Sequence, residues 1–449
     1  MRSIHLIRTL AAAAVAVATA AAPAAARKPA PDLDVTVDVD VGEPVMIADK
    51  AQTAYVKITL GGFVLPANRK RAPINLALVL DRSSSMSGDK LEKAKEAAMM
   101  VLDRLQPGDI LSVISYDSTV EVLVPATKVQ QQRGAIREQI SGLTPRGSTA
   151  LFAGVSYGIE EVSKFLDAKR VNRIVLLSDG QANIGPSSPN ELGRLGEVAA
   201  RQGISITTIG LGLGYNEDLM SQLALRSDGN HAFAENADDL ATIFQHELGD
   251  VMSVVAQDVE IEIDFDRGIV PVRALGREAT IHGQKARLSL SQLYAEQQKY
   301  VLFEVRVPPG AAGKHRDVAS VDVSYDNMIT KKKARSRDAV AVSFTKQAKQ
   351  VAKHQNKDVM VAAVQAIATA ENQRAVALRD QGNIKEAKRV LEKNAKYLAG
   401  QSQRYRSKAL EGYSIQNTQD SQNLAPAAWG RQRKSMREEQ TKNVQQRSW

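Results

Sequence analysis

Asn75-Leu-Ala-Leu-Val-Leu-Asp81-Arg-Ser83-Ser-Ser85-Met86 is the stretch on which the fold turns. A continuous run of apolar, β-prone residues ends on an aspartate, and two hydroxyls follow at alternate positions. Such a run predicts a strand buried on both faces, as inside a parallel sheet. Residues just past the C-terminal end of that strand stand at the crevice where open α/β sheets take their ligands. A carboxylate with two hydroxyls supplies hard oxygen donors, which suit Mg²⁺, Mn²⁺ or Ca²⁺. Alone, the motif admits a plainer reading, in which Asp81 caps the helix starting near Asp89 and the serines solvate a loop.

Two further loops favour the metal. Leu143-Thr-Pro-Arg-Gly147-Ser148-Thr149-Ala-Leu leads into a helix carrying Phe152, Val155 and Ile159, so Thr149 is a hydroxyl at a helix start. Arg173-Ile-Val-Leu-Leu-Ser178-Asp179-Gly180 repeats the opening pattern of a buried strand followed by an aspartate. In a doubly wound sheet both strand ends lie on one edge, which turns Asp81, Ser83, Ser85, Thr149 and Asp179 toward one point. This set resembles the metal-ion-dependent adhesion site of von Willebrand factor type A domains, the fold of integrin I domains, over about residues 74–250. The resemblance implies that Ser83, Ser85 and Thr149 ligate the metal and that Asp81 and Asp179 often act through water. It also implies that a carboxylate from a protein ligand fills the open coordination position.

Elementary chemistry agrees with a binding role. Two carboxylates balance a divalent cation while three neutral hydroxyls add no charge, so the ion stays attractive to an outside acidic side chain. Activating water would require a general base, and the three loops hold no His, Glu or Lys. His246 adjoins Glu247 without a second histidine four residues on, so no zinc-protease motif exists. A non-enzymatic protein follows. Arg82 and Arg146 flank the site and either clamp a ligand carboxylate or solvate the surface.

The first residues combine a basic start, an alanine-rich apolar stretch and a small-x-small ending at Ala24-Ala25-Ala26, which reads as a secretory signal peptide over 1–26. The mature protein is thus expected in the periplasm or outside the cell. The chain has no cysteine, so its stability rests on packed cores, and with hydrophobics at 43% and aromatics at 4% those cores lean on Ala, Val, Leu and Ile.

Alternating patterns at 33–41 and 53–60, and again from Gln257 onward, predict strands on either side of the metal-site domain. The expected fold class is α/β: a doubly wound, mostly parallel sheet inserted in a β-sandwich, followed by a helical C-terminal hairpin and a disordered tail. The expected divisions are 1–26 (signal peptide), 27–73 (N-terminal sandwich strands), 74–254 (metal-site domain), 255–345 (sandwich), 346–411 (hairpin) and 412–449 (tail). The insertion resembles secreted bacterial proteins grouped with calcium-activated chloride channel homologues and inter-α-trypsin inhibitor heavy chains. Helices are expected at 346–380 and 384–399, and residues 377–391 resemble one tetratricopeptide-like hairpin. After Gly412 the chain is rich in Gln, Asn, Ser and Arg with little apolar periodicity, which predicts disorder.

Net charge is +9 overall, but residues from Lys346 onward carry +11 and the preceding ones −2. The leading expectation is a metal-dependent adhesion protein that takes an acidic protein partner. The alternative is an envelope scaffold with a structural metal, whose basic tail binds acidic polymers or anionic membrane. Aromatics do not interleave with the tail's cations, so no specific nucleic-acid recognition is expected.

Overall fold

The computed structural model describes residues 33–66 and 70–446; the leader expected at 1–26 lies outside the described residues. The chain opens with strands β1 (Thr36–Val41), β2 (Val45–Ile47) and β3 (Gln52–Gly61). The metal-site domain follows as β4 (Ile74–Asp81), α1 (Asp89–Arg104), β5 (Ile110–Tyr116), β6 (Val120–Lys128), α2 (Arg133–Ser141), α3 (Leu151–Ser163) and β7 (Val171–Ser178). It finishes with α4 (Pro189–Arg201), β8 (Ile204–Leu211), α5 (Glu217–Arg226), β9 (His231–Ala234) and α6 (Asp239–Met252). Its sheet runs β6-β5-β4-β7-β8-β9, parallel throughout except for the antiparallel β5–β6 hairpin.

The buried strand β4 shows why its sequence lacks polar alternation. Leu76, Leu78 and Leu80 face a core shared with α1, α2 and α6, while Ala77 and Val79 face a second core with α3, α4 and α5. Both faces are covered, so both need apolar side chains. From β4 the chain moves outward to β5 and β6, then returns to β7 on β4's other side. That reversal is the topological switch point, and the crevice above it is where such sheets bind ligands.

After α6, a single residue (Ser253) leads into β10 (Val254–Phe265). Strands β11 (Val270–Leu275), β12 (Thr280–His282), β13 (Lys285–Tyr294), β14 (Gln298–Val307), β15 (His315–Asn327) and β16 (Lys332–Thr345) complete two more sheets. One sheet has the order β1-β3-β14-β11 and the other β12-β13-β10-β15-β16-β2. Val39, Val56, Ile58 and Phe303 of the first meet Ile261, Val321, Val323 and Phe344 of the second in a common apolar core.

The C-terminal third differs from expectation in two respects. The helix expected over 346–380 is interrupted: α7 (Ala348–Lys353) stops, and α8 (Lys357–Asp380) restarts with Asn356 accepting from the Asp358 and Val359 amides. The second correction is larger. The tail expected to be disordered from 412 is helical, and that boundary falls inside a helix. α9 (Ile384–Tyr405) is followed by α10 (Lys408–Gln422) and α11 (Pro426–Gln445). On α10 the buried positions are Leu410, Tyr413, Asn417, Asp420 and Ser421, a helical spacing carried largely by polar groups. Asn372 on α8 donates to both Asn417 and Asp420, and Gln440 on α11 donates to Asn372. A satisfied polar layer orders these helices where an apolar stripe is missing. Among the described residues, no helix is long and apolar enough to cross a membrane.

Candidate metal centre

Register places the two key carboxylates together. Leu80 of β4 pairs with Leu177 of β7, so Asp81 and the Ser178–Asp179 pair leave the sheet side by side. Asp81 is fully buried; its Oδ1 accepts the Ser83 amide at 2.8 Å and its Oδ2 accepts the Ser178 hydroxyl at 2.7 Å. Ser83 Oγ lies 3.0 Å from Ser85 Oγ, and Ser85 Oγ donates to Asp179 Oδ1 at 2.6 Å. Asp81, Ser83, Ser85 and Asp179 thus form one hydrogen-bonded chain. Thr149 joins from the opposite loop: its Oγ1 and the Oγ of Ser85 both fall within 4 Å of the point where a Cβ on Gly180 would lie. The reading of Asp81 as a cap of α1 fails, since that helix begins on Gly88 with no side-chain cap.

The loops are knitted to one another. The Ser84 amide donates to Gly147 O, the Arg146 amide to Arg82 O, and the Ala150 amide to Asp117 O. Asn183 Oδ1 accepts the Thr149 amide at 2.8 Å. Asp117 is the organiser that sequence reasoning missed. It takes Arg82 Nε and Arg146 Nε, each at 2.8 Å, and the Thr119 amide and hydroxyl. Burial would raise its carboxyl, but Arg146, Thr119 and Arg82 outweigh that and bring it down to about 2. Arg82 also pairs with Glu121 at 2.8 Å. Neither arginine is therefore a free clamp or simple surface solvation; both brace the loops that carry the hydroxyls.

Ser178 and Lys90 were also missed. Ser178 precedes Asp179 in the quoted motif, so its signal was present. Lys90 on α1 donates to Asp179 Oδ2 and, at 3.3 Å, to Ser85 O; only the three-dimensional packing of α1 reveals it.

The donor set fits a hard divalent cation. Among the described residues no three His, Cys, Asp or Glu side chains are grouped to hold a metal ion. A cation here would rest on two carboxylates, three hydroxyls and water, as Mg²⁺ tolerates. Burial, followed by repulsion from Asp179, pushes the Asp81 carboxyl up to about 6 against the hydrogen bonds from Ser178 and Ser83. A positive charge at this point would relieve that penalty.

A family model of the von Willebrand factor type A domain matches residues 75–246. The Synechocystis sp. protein sll0103 is 29% identical over 268 residues, or 58% of this chain and 63% of that one. The inter-alpha-trypsin inhibitor heavy chain H3 of Homo sapiens is 31% identical over 191 residues, 40% of this chain and 21% of the other. The matches span less than two thirds of the length of these curated relatives. A solved von Willebrand factor type A structure from Catenulispora acidiphila shares the fold with a TM-score of 0.69 at 15% identity, covering 88% of this chain and 91% of that chain.

Proposed function

Residues 75–246 form a von Willebrand factor type A domain, a fold of metal-dependent adhesion and protein interaction, and from that premise we propose an exported, non-enzymatic interaction protein. Asp81, Ser83, Ser85, Thr149 and Asp179 hold Mg²⁺, or Mn²⁺ or Ca²⁺ in its place, and the ion takes an acidic side chain of a protein partner. The observation that carries the reading is the chain from Asp81 through Ser83 and Ser85 to Asp179, at the switch point between β4 and β7. When bound, the ion would supply an electrophilic centre. The protein's own contribution is to bury the carboxylates, orient the hydroxyls and brace the loops through Asp117.

The scaffold alternative loses support from α11. Arg431, Arg433, Lys434 and Arg437 are paired with carboxylates of the same chain, which leaves fewer of the tail's cations for an anionic polymer. Electron paramagnetic resonance of Mn²⁺ titrated into the full chain tests the site: the parent binds, while Asp81→Ala and Asp179→Asn lose at least about tenfold in affinity. Unchanged binding in both variants rejects the assignment. Export with a cleaved leader is checked by fractionation and N-terminal sequencing, where an envelope protein starting at Arg27 is expected and a chain confined to the cytoplasm refutes export.

A further inference from the structure

Helix α11 contacts the metal-site domain at the β8–α5 loop and the first turn of α5. Lys434 on α11 is buried; its Nζ donates to Glu217 Oε2 at 2.5 Å and to the Tyr215 carbonyl at 2.9 Å, and it lies 4.5 Å from the centroid of the Tyr215 ring. Arg433 bonds Glu217 and Asp218 of α5, and reaches Asp380 Oδ2 of α8 at 2.8 Å. Arg437 adds Asp218 Oδ1 at 3.0 Å. At its other end the helix meets the sandwich, where Gln446 Oε1 accepts the Tyr300 amide at 2.6 Å and its Nε2 donates to Tyr300 O at 2.8 Å.

Tyr215 belongs to the β8–α5 loop, and that loop abuts the site. A Cβ on Gly214 would stand 2.8 Å from the Asp179 carbonyl oxygen, and one on Gly212 would stand 4.0 Å from Lys90 Nζ. The Tyr215 ring in turn lies where a Cβ on Gly210 would be. An unbroken run of contacts therefore leads from Lys434 through Tyr215 and Gly214 to the backbone of Asp179.

We infer that α11 is an intramolecular clasp on the von Willebrand factor type A domain, with Lys434 and Arg433 as positioning residues for the cation site through loop 212–216. The inference rests on the proposed cation site. Its physical logic is the support of first ligands by a rigid outer layer: partners that fix a ligand's backbone change metal affinity without touching the metal. An Asp179 whose backbone rests on a docked loop loses less freedom when it takes a cation than one on a loose loop.

The test uses Mn²⁺ titration of the full chain, followed by electron paramagnetic resonance, on Arg433→Gln/Lys434→Met, the single Lys434→Arg, and the milder Arg437→Gln. Melting in EDTA is recorded in parallel. The double variant is expected to bind Mn²⁺ about 5- to 10-fold more weakly, Lys434→Arg to keep most of the parent affinity, and hydrogen exchange at 212–216 to accelerate. If the double variant is unfolded in EDTA, Arg437→Gln carries the same test with a smaller loss of about 2- to 3-fold. Parent-like Mn²⁺ affinity in the folded double variant, or in Arg437→Gln where the double variant does not fold, overturns the clasp alone. Failure of the parent chain to bind Mn²⁺ overturns the cation site and the clasp with it.

Discussion

Replacing Arg173 with methionine should be among the most destabilising single changes in the protein. Arg173 sits on β7 with no solvent exposure, and its Nη2 donates to Gln292 Oε1 at 2.9 Å and to the Tyr294 hydroxyl at 2.6 Å, both on β13 of a different sheet. Its Nη1 reaches Thr207 on β8 at 3.2 Å and Glu247 on α6 at 3.5 Å. Glu247 is 1% exposed and also accepts from Thr207 at 2.5 Å and Asn230 at 2.9 Å. Methionine fills much of the volume but leaves a buried carboxylate facing only neutral donors. Breaking such a pair costs about 3–5 kcal/mol, most of it the unpaired charge. Replacing both partners removes that charge, so Arg173→Met/Glu247→Gln should recover at least about 2 kcal/mol of the loss. The assay is urea unfolding followed by circular dichroism, with midpoints compared at constant slope. A single-variant loss below about 1 kcal/mol, or strictly additive losses, would refute the reasoning.

Three further outcomes are expected. Asp420 accepts from Asn372, Gln416 and Gln432 in the helical layer, and burial pushes its carboxyl from 3.8 up to about 6. The folded state therefore prefers the protonated acid, and this contribution is full below 3.8 and lost as pH rises through 6; Asp420→Asn should gain about 2–3 kcal/mol over the parent near pH 7.5 and little near pH 4. A gain that does not change with pH in urea midpoints sinks the idea. Gly158 on α3 faces β4 so closely that a Cβ would lie 2.8 Å from Val79 Cγ2; Gly158→Ala should cost about 1–3 kcal/mol despite alanine's better helix propensity, and a raised melting temperature would contradict this. Asp117→Asn leaves Arg82 and Arg146 weakly held beside the site, and Mn²⁺ affinity should fall about 3- to 10-fold; parent-like titration curves would show that the arginines brace nothing.

The contrast between β4 and α11 shows what a sequence can carry. Asp81 and Asp179 were legible because each ends a strand that is apolar on both faces, and parallel topology then brings the strand ends together. Ser83 and Ser85 needed only their offsets from the first of those ends, whereas Thr149 was read from its place at the start of a helix. Lys90 was not legible, since it reaches the site by the packing of α1, which no spacing encodes; Asp117 stands just past the buried strand β5, the same signal as Asp81, and was passed over. On α11, four of the six buried positions are Lys434, Gln440, Thr441 and Gln445, so the hydrophobic period that betrays most helices is absent although the helical period of burial is present.

The amino-acid order by itself determined the parallel sheet and the strand ends that carry Asp81 and Asp179, because strand burial and strand-end position follow from local apolar runs. Only the tertiary structure decided that the basic tail folds into the end of α10 and the whole of α11. Carboxylates more than two hundred residues away, Glu217 and Asp218, pair with Arg433, Lys434 and Arg437, and they turn what composition reads as a solvated charge run into a docked helix face.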